Sequence, residues 1–107
     1  MRFKILGKYW NLMPVSRISE HKDYHIVGQA EQTPGKPRVI KILSRLKGQD
    51  RLETIVHELT HAASWPLDET FIETFAVDVA RVLWRLGYRQ IDEVVAAEKA
   101  RKGDAAT

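Results

Sequence analysis

The stretch Asp50–Gly87 reads DRLETIVHELTHAASWPLDETFIETFAVDVARVLWRLG, and it decides the fold. Apolar residues recur at helical spacing in its first half: Leu52, Ile55, Val56, Leu59, Ala62 and Ala63. Asp50 followed by Glu53 fits a capping box, with Asp50 as N-cap and Glu53 three positions on. Trp65-Pro66 ends this helix, because the residue before a proline avoids helical geometry. Asp68 can cap a second helix, whose apolar stripe is Ile72, Phe75, Ala76, Val79, Val82, Leu83 and Leu86, with Gly87 as its stop. The short linker predicts an antiparallel helix hairpin.

Within the first helix, His57-Glu58-Leu59-Thr60-His61 is an HExxH motif. Two histidines four apart on a helix project from one face, one turn apart, and can grip one ion. The chain has 4 histidines and 8 glutamates, so random placement yields roughly 0.01 such motifs, few enough to set chance aside. At about 100° per residue, His57 and His61 fall roughly 150–190° from the centre of the apolar stripe. They therefore face away from the core side, where a buried structural histidine would sit. Zinc accepts imidazole nitrogen and usually takes a third protein ligand in catalytic sites. Glu58, between the histidines, is placed to take a proton from a metal-bound water.

The third ligand is sought on the second helix, where Glu69 and Glu73 lie one turn apart. Folding the chain back brings them alongside His61 and then His57. Both share an edge with Ala76 and Ala80, whose small side chains permit close helix contact. Glu69 lies nearer the apolar stripe, where a carboxylate is costly unless paired with a cation. Glu73 then stands nearer His57, where it can accept that ring's other N–H. Both are metal-site candidates, with Glu69 preferred as the ligand.

Upstream of Gly48 the period changes. Phe3–Tyr9, Tyr24–Val27 and Arg38–Leu43 read as three strands, with Thr33-Pro34-Gly35-Lys36-Pro37 as a loop before the last. The strand Arg38–Leu43 is expected to offer an edge to an extended substrate. Residues 14–23 form a polar connection. His21 and His25 lie in loop and strand, where a spacing of four does not converge. Trp10, Trp65 and Trp84 are packing residues, and Arg81, Arg85 and Arg89 form a basic ridge at helical spacing.

Composition narrows the class. With 107 residues there is room for one domain, expected over residues 1–95, with a frayed tail over 96–107. The net charge of +3 comes with acids interleaved among bases, which does not predict nucleic-acid binding. The absence of cysteine excludes disulfides and thiolate metal sites. Lys4, Gly7 and Lys8 break the first apolar run, and no stretch predicts a membrane span, so a cytoplasmic protein is expected.

The segment Leu52–Arg89, LETIVHELTHAASWPLDETFIETFAVDVARVLWRLGYR, resembles the very small zincin-like metallopeptidases of bacteria and their phages. It is more distantly similar to the gluzincin pattern of HExxH followed by a glutamate on the next helix. The resemblance implies an α+β minimal zincin-like fold: a small three-stranded sheet, then a two-helix hairpin carrying the metal site. It implies zinc as cofactor and a peptide or protein as substrate. It also favours Glu69 as the ligand, since gluzincins carry an acidic residue four positions later and Glu73 occupies that place. Tyr24, Tyr88 and His25 are the candidates for an oxyanion stabiliser. The alternative is a metal-stabilised protein-binding module with little or no catalysis, since fold alone does not establish function.

Overall fold

The computed structural model describes residues 1–18, 28–64, 66–91, 94–95 and 98–101. Tyr24–Val27, His21, His25 and Trp65 lie outside the described residues, as do 96–97 and 102–107 of the expected tail; residues 98–101 are helical. The chain folds as a small α+β domain. Four strands come first, β1 (Arg2–Ile5), β2 (Lys8–Val15), β3 (Gly28–Glu31) and β4 (Val39–Leu43). Two helices follow, α1 (Gly48–Ala63) and α2 (Glu69–Arg85).

The expected strand Phe3–Tyr9 is instead a hairpin. Leu6 and Gly7 both take positive φ, 48° and 79°, the pattern of a two-residue type I′ turn. Leucine in that geometry hides the turn from a composition-based reading, which looks for Asn-Gly. Strand β2 then runs on to Val15, taking in Pro14, which the sequence assigns to a polar connection. Pro14 is tolerated because β1 reaches only as far as the Arg2–Asn11 pair, leaving the missing N–H without a ladder partner to lose.

The sheet order is β1-β2-β4-β3, with β2 and β4 parallel and the outer pairs antiparallel. Strand β4 is thus interior, and both its edges are already bonded. The expectation that Arg38–Leu43 offers an edge to a substrate is therefore wrong. Among the described residues the outer strands are β1 and β3.

The pairs Phe3–Trp10, Leu12–Ile40 and Ala30–Ile40 align apolar side chains on one face of the sheet. Trp10, Ala30, Ile40 and Ile42 are buried there, under Ile55, Leu59 and Ala62 of α1. On the other side of α1 lies α2, so α1 is the middle layer. The face of α1 predicted to point away from the core is covered by the second helix.

The helix ends follow local chemistry, with one displacement. Helix α1 begins at Gly48, with Lys47 as N-cap and no side-chain cap. Asp50 is therefore a first-turn acid rather than the cap, favoured by the helix dipole. At the start of α2, the Asp68 carboxylate accepts from the Phe71 N–H at 3.1 Å, as expected of an N-cap. Gly87, at φ 92°, closes α2. Its N–H donates to the Trp84 carbonyl, and that of Tyr88 donates to the Leu83 carbonyl, the two bonds of a Schellman motif.

The buried face of α2 is Ile72, Ala76 and Ala80. Phe75, Val82 and Leu86, which belong to the predicted stripe, are exposed. The apolar arc of α2 is wider than the strip that α1 covers. Close packing on α1 selects the part with small residues, because alanines let the helix axes approach.

Candidate metal centre

His57 and His61 project from α1 towards the first turn of α2. Their Nε2 atoms are 3.2 Å apart. Glu69, the first residue of α2, spans the pair, its Oε1 being 2.9 Å from His57 Nε2 and its Oε2 2.9 Å from His61 Nε2. Asp68 caps the helix directly before Glu69, fixing where that helix starts and hence where the carboxylate stands.

These three contacts cannot all be hydrogen bonds. With a proton on both Nε2 atoms, the carboxylate is satisfied and the two rings meet donor to donor. With a proton on only one, a ring lone pair faces a carboxylate oxygen. A cation among the three atoms removes the conflict. Ligand atoms about 2.0–2.1 Å from a tetrahedral ion lie roughly 3.3–3.4 Å from one another, a few tenths of an ångström wider than the 2.9–3.2 Å spacings found. The group His57, His61 and Glu69 could thus hold a metal ion, and all its ligand atoms lie within 4.8 Å of one another. Glu73 stands one turn further along α2, exposed, and does not enter this group.

Glu58 points elsewhere, into the junction of α1 and β3. It is only 7% exposed, the one charged residue buried among those described. Its Oε1 is 4.0 Å from His57 Nε2, near the group without belonging to it. Burial pushes the carboxyl up from 4.5 to about 7; the Coulomb attraction of His57 and a hydrogen bond from the Ala30 backbone oppose this, and the Glu69 charge adds to it. A carboxyl balanced near neutrality beside a cation site is suited to exchanging protons.

Gly28 and Ala30 escape a sequence reading altogether. A glycine before a polar run reads as a turn, and nothing in the chain marks a contact with a helix some thirty residues on. Tyr88, a candidate oxyanion stabiliser, is at the opposite end of the helix pair. It lines an apolar slot of about 200 Å³ with Gly48, Leu52, Ile55 and Trp84. The predicted arginine ridge also divides. Arg81 lies 3.8 Å from Asp78, whereas Arg89 stacks 3.3 Å from the Trp84 ring and donates to the Trp84 and Tyr88 carbonyls.

No helix among the described residues is long and apolar enough to cross a membrane. No family model matches the chain, and neither a curated protein nor a solved structure matches it.

Proposed function

We propose that the chain is a minimal zincin-like peptidase that hydrolyses peptide bonds with zinc at His57, His61 and Glu69. The observation that carries this reading is the convergence of three ligand side chains from two helices beside a buried glutamate. When bound, zinc supplies a Lewis acid for the scissile carbonyl and lowers the pKa of water. Two imidazoles and one carboxylate are a donor set that would suit that ion.

The remaining work falls to the chain itself. Glu58 takes a proton from the attacking water as its oxygen bonds to the carbonyl carbon. It returns that proton to the amine nitrogen as the C–N bond breaks. The Ala30 N–H holds the carboxylate in place meanwhile. Among the described residues β3 is an outer strand and packs on α1 beside Glu58; with the Ala30 N–H given to Glu58, an extended peptide would pair with the remaining edge groups of β3, beside that glutamate.

Metal analysis combined with a peptide library tests the reading. The wild-type protein is expected to carry one zinc and to cleave, and Glu58→Gln to keep the zinc while losing about 10²–10⁴-fold in rate. Equal cleavage by both proteins would overturn it. A fourth protein ligand on the metal would instead favour the metal-stabilised binding module.

A further inference from the structure

We propose that Gly28 is a positioning residue for Glu58: only the absence of a side chain there lets β3 sit close enough to α1 for the Ala30 N–H to reach the Glu58 carboxylate. This deepens the peptidase reading and rests on it for its catalytic consequence.

A Cβ placed on Gly28 would lie 2.6 Å from Thr54 Cγ2, 3.1 Å from Glu58 Cγ and 3.3 Å from Ile42 Cδ1. The first distance is below any contact that a real Cβ makes, so the strand or the helix must shift. The backbone does not demand glycine here, because Gly28, unlike Gly7, Gly35, Gly48 and Gly87, is not at positive φ. The requirement is steric and comes from α1.

Thr54 cannot easily turn away. Its Oγ1 donates to the Asp50 carbonyl at 2.9 Å, one turn back, which holds the rotamer that aims Cγ2 at β3. The spacing along α1 matters too. Thr54 and Glu58 are four apart and share the face that meets β3, so Gly28 touches both. Two residues further along β3, Ala30 donates to Glu58. Among the described residues β3 is an outer strand paired with β4 alone, through Ala30–Ile40 and its neighbours, so an N–H directed at α1 is one that this ladder does not use. Gly28 and Ala30 therefore bracket Glu58, one by yielding space and the other by supplying a donor. None of the three metal-group residues is among the atoms that a Cβ on Gly28 would meet, which are those of Thr54, Glu58 and Ile42.

The contact predicts a rescue. Gly28→Ala forces the strand off the helix, and adding Thr54→Ser removes the methyl that collides while keeping the hydroxyl anchor. Adding Thr54→Val instead keeps that methyl and offers no relief. Three measurements apply to each protein: zinc affinity, hydrogen exchange of the Ala30 amide, and kcat and KM on a peptide the wild type cleaves. Gly28→Ala is expected to keep its zinc, to exchange the Ala30 amide about tenfold faster or more, and to lose on the order of 10²-fold in kcat with little change in KM, the scale of a displacement near 1 Å. Gly28→Ala/Thr54→Ser should recover both exchange protection and kcat; Gly28→Ala/Thr54→Val should recover neither. If Gly28→Ala does not fold, Ala30→Pro removes the donor from the same edge strand and should give the same drop in kcat with zinc retained. Wild-type exchange and wild-type kcat in Gly28→Ala would overturn the inference, as would recovery of melting temperature without recovery of exchange or kcat in the Thr54→Ser pair. If the wild type cleaves nothing, the peptidase reading fails by itself; the exchange data still decide whether Gly28 sets the Ala30–Glu58 contact.

Discussion

The two ends of the α1–α2 pair are held together by different physics. At the loop end, His57, His61 and Glu69 meet through polar atoms 2.9–3.2 Å apart. At the open end, Leu52 and Ile55 face Trp84 and Tyr88 across an apolar slot, with Arg89 stacked on the indole. The open end needs no ligand, because apolar contact and a cation–π pair suffice. The loop end brings three lone-pair-bearing side chains to one point, which is unfavourable without a cation. Stability at one end of the hairpin should therefore depend on metal, and at the other it should not.

The sharpest way to break this contrast is to remove a histidine. His57→Ala or His61→Ala should release the metal and lower the melting temperature of zinc-loaded protein. At a free zinc concentration a thousand times the dissociation constant, the loss is about 4 kcal/mol. Elemental analysis and calorimetry check it. Unchanged zinc content in both variants would remove the metal from the loop end.

The two glutamates of α2 sharpen the same end. Glu69→Gln should weaken zinc binding more than Glu73→Gln, since Glu69 alone reaches both histidines. Loss of an orienting acid typically costs about 10–100-fold in affinity, and loss of a direct ligand more. Titration against a competing chelator ranks the two, and the reverse order would make Glu73 the ligand.

Much of this end is legible in the sequence, and the reason is locality. HExxH needs only the helical repeat to converge, and Asp68 caps α2 through a bond three residues long. Glu69 needs one further step, the short hairpin, which Pro66 and Asp68 announce. The sheet is harder to read because its contacts are non-local. Nothing near Arg38–Leu43 says that β2 and β3 will take both its edges. The Leu6-Gly7 turn is hidden by an exposed leucine at φ 48°, a geometry that local preference does not predict for that residue. The same holds for α2, where the exposed Phe75 and Val82 match the helical period as well as Ile72 does. Periodicity locates an apolar arc, but the partner chooses which part of it to bury. Gly28 is the extreme case, since its significance exists only once Thr54 and Glu58 are beneath it.

Acidity offers a smaller effect, again confined to the loop end. Glu58 titrates at about 7 in the folded protein against 4.5 as its ordinary value, chiefly because burial disfavours its charge. Between those values the folded state holds a proton that the unfolded state has lost. Metal-free protein should therefore lose stability as pH rises from 4.5 to 7, by up to ~3 kcal/mol from this group, and change little from it above that. Zinc favours the ionised carboxylate, so saturating metal should flatten the decline. Chemical denaturation at pH 5.5 and pH 8, with and without zinc, measures both slopes. A metal-free protein more stable at pH 8 would contradict the upward shift that burial gives Glu58.

The smallest effect is expected at the open end. Arg89 stacks 3.3 Å from the Trp84 ring and donates to the carbonyls of Trp84, in the last turn of α2, and of Tyr88, just past its end, where a cation also complements the helix dipole. The side chain is exposed, so solvent screens much of this, and Arg89→Ala should cost only about 0.5–1 kcal/mol. More telling than the size is its additivity. The slot and the metal group share no residue, so the Arg89→Ala penalty should be the same, within about 0.5 kcal/mol, with zinc bound or removed. A double cycle of Arg89→Ala and His61→Ala, read by denaturation, tests this. A coupling above 1 kcal/mol would mean that the two ends respond as one rigid unit, and that the metal tightens the whole length of the hairpin rather than its loop.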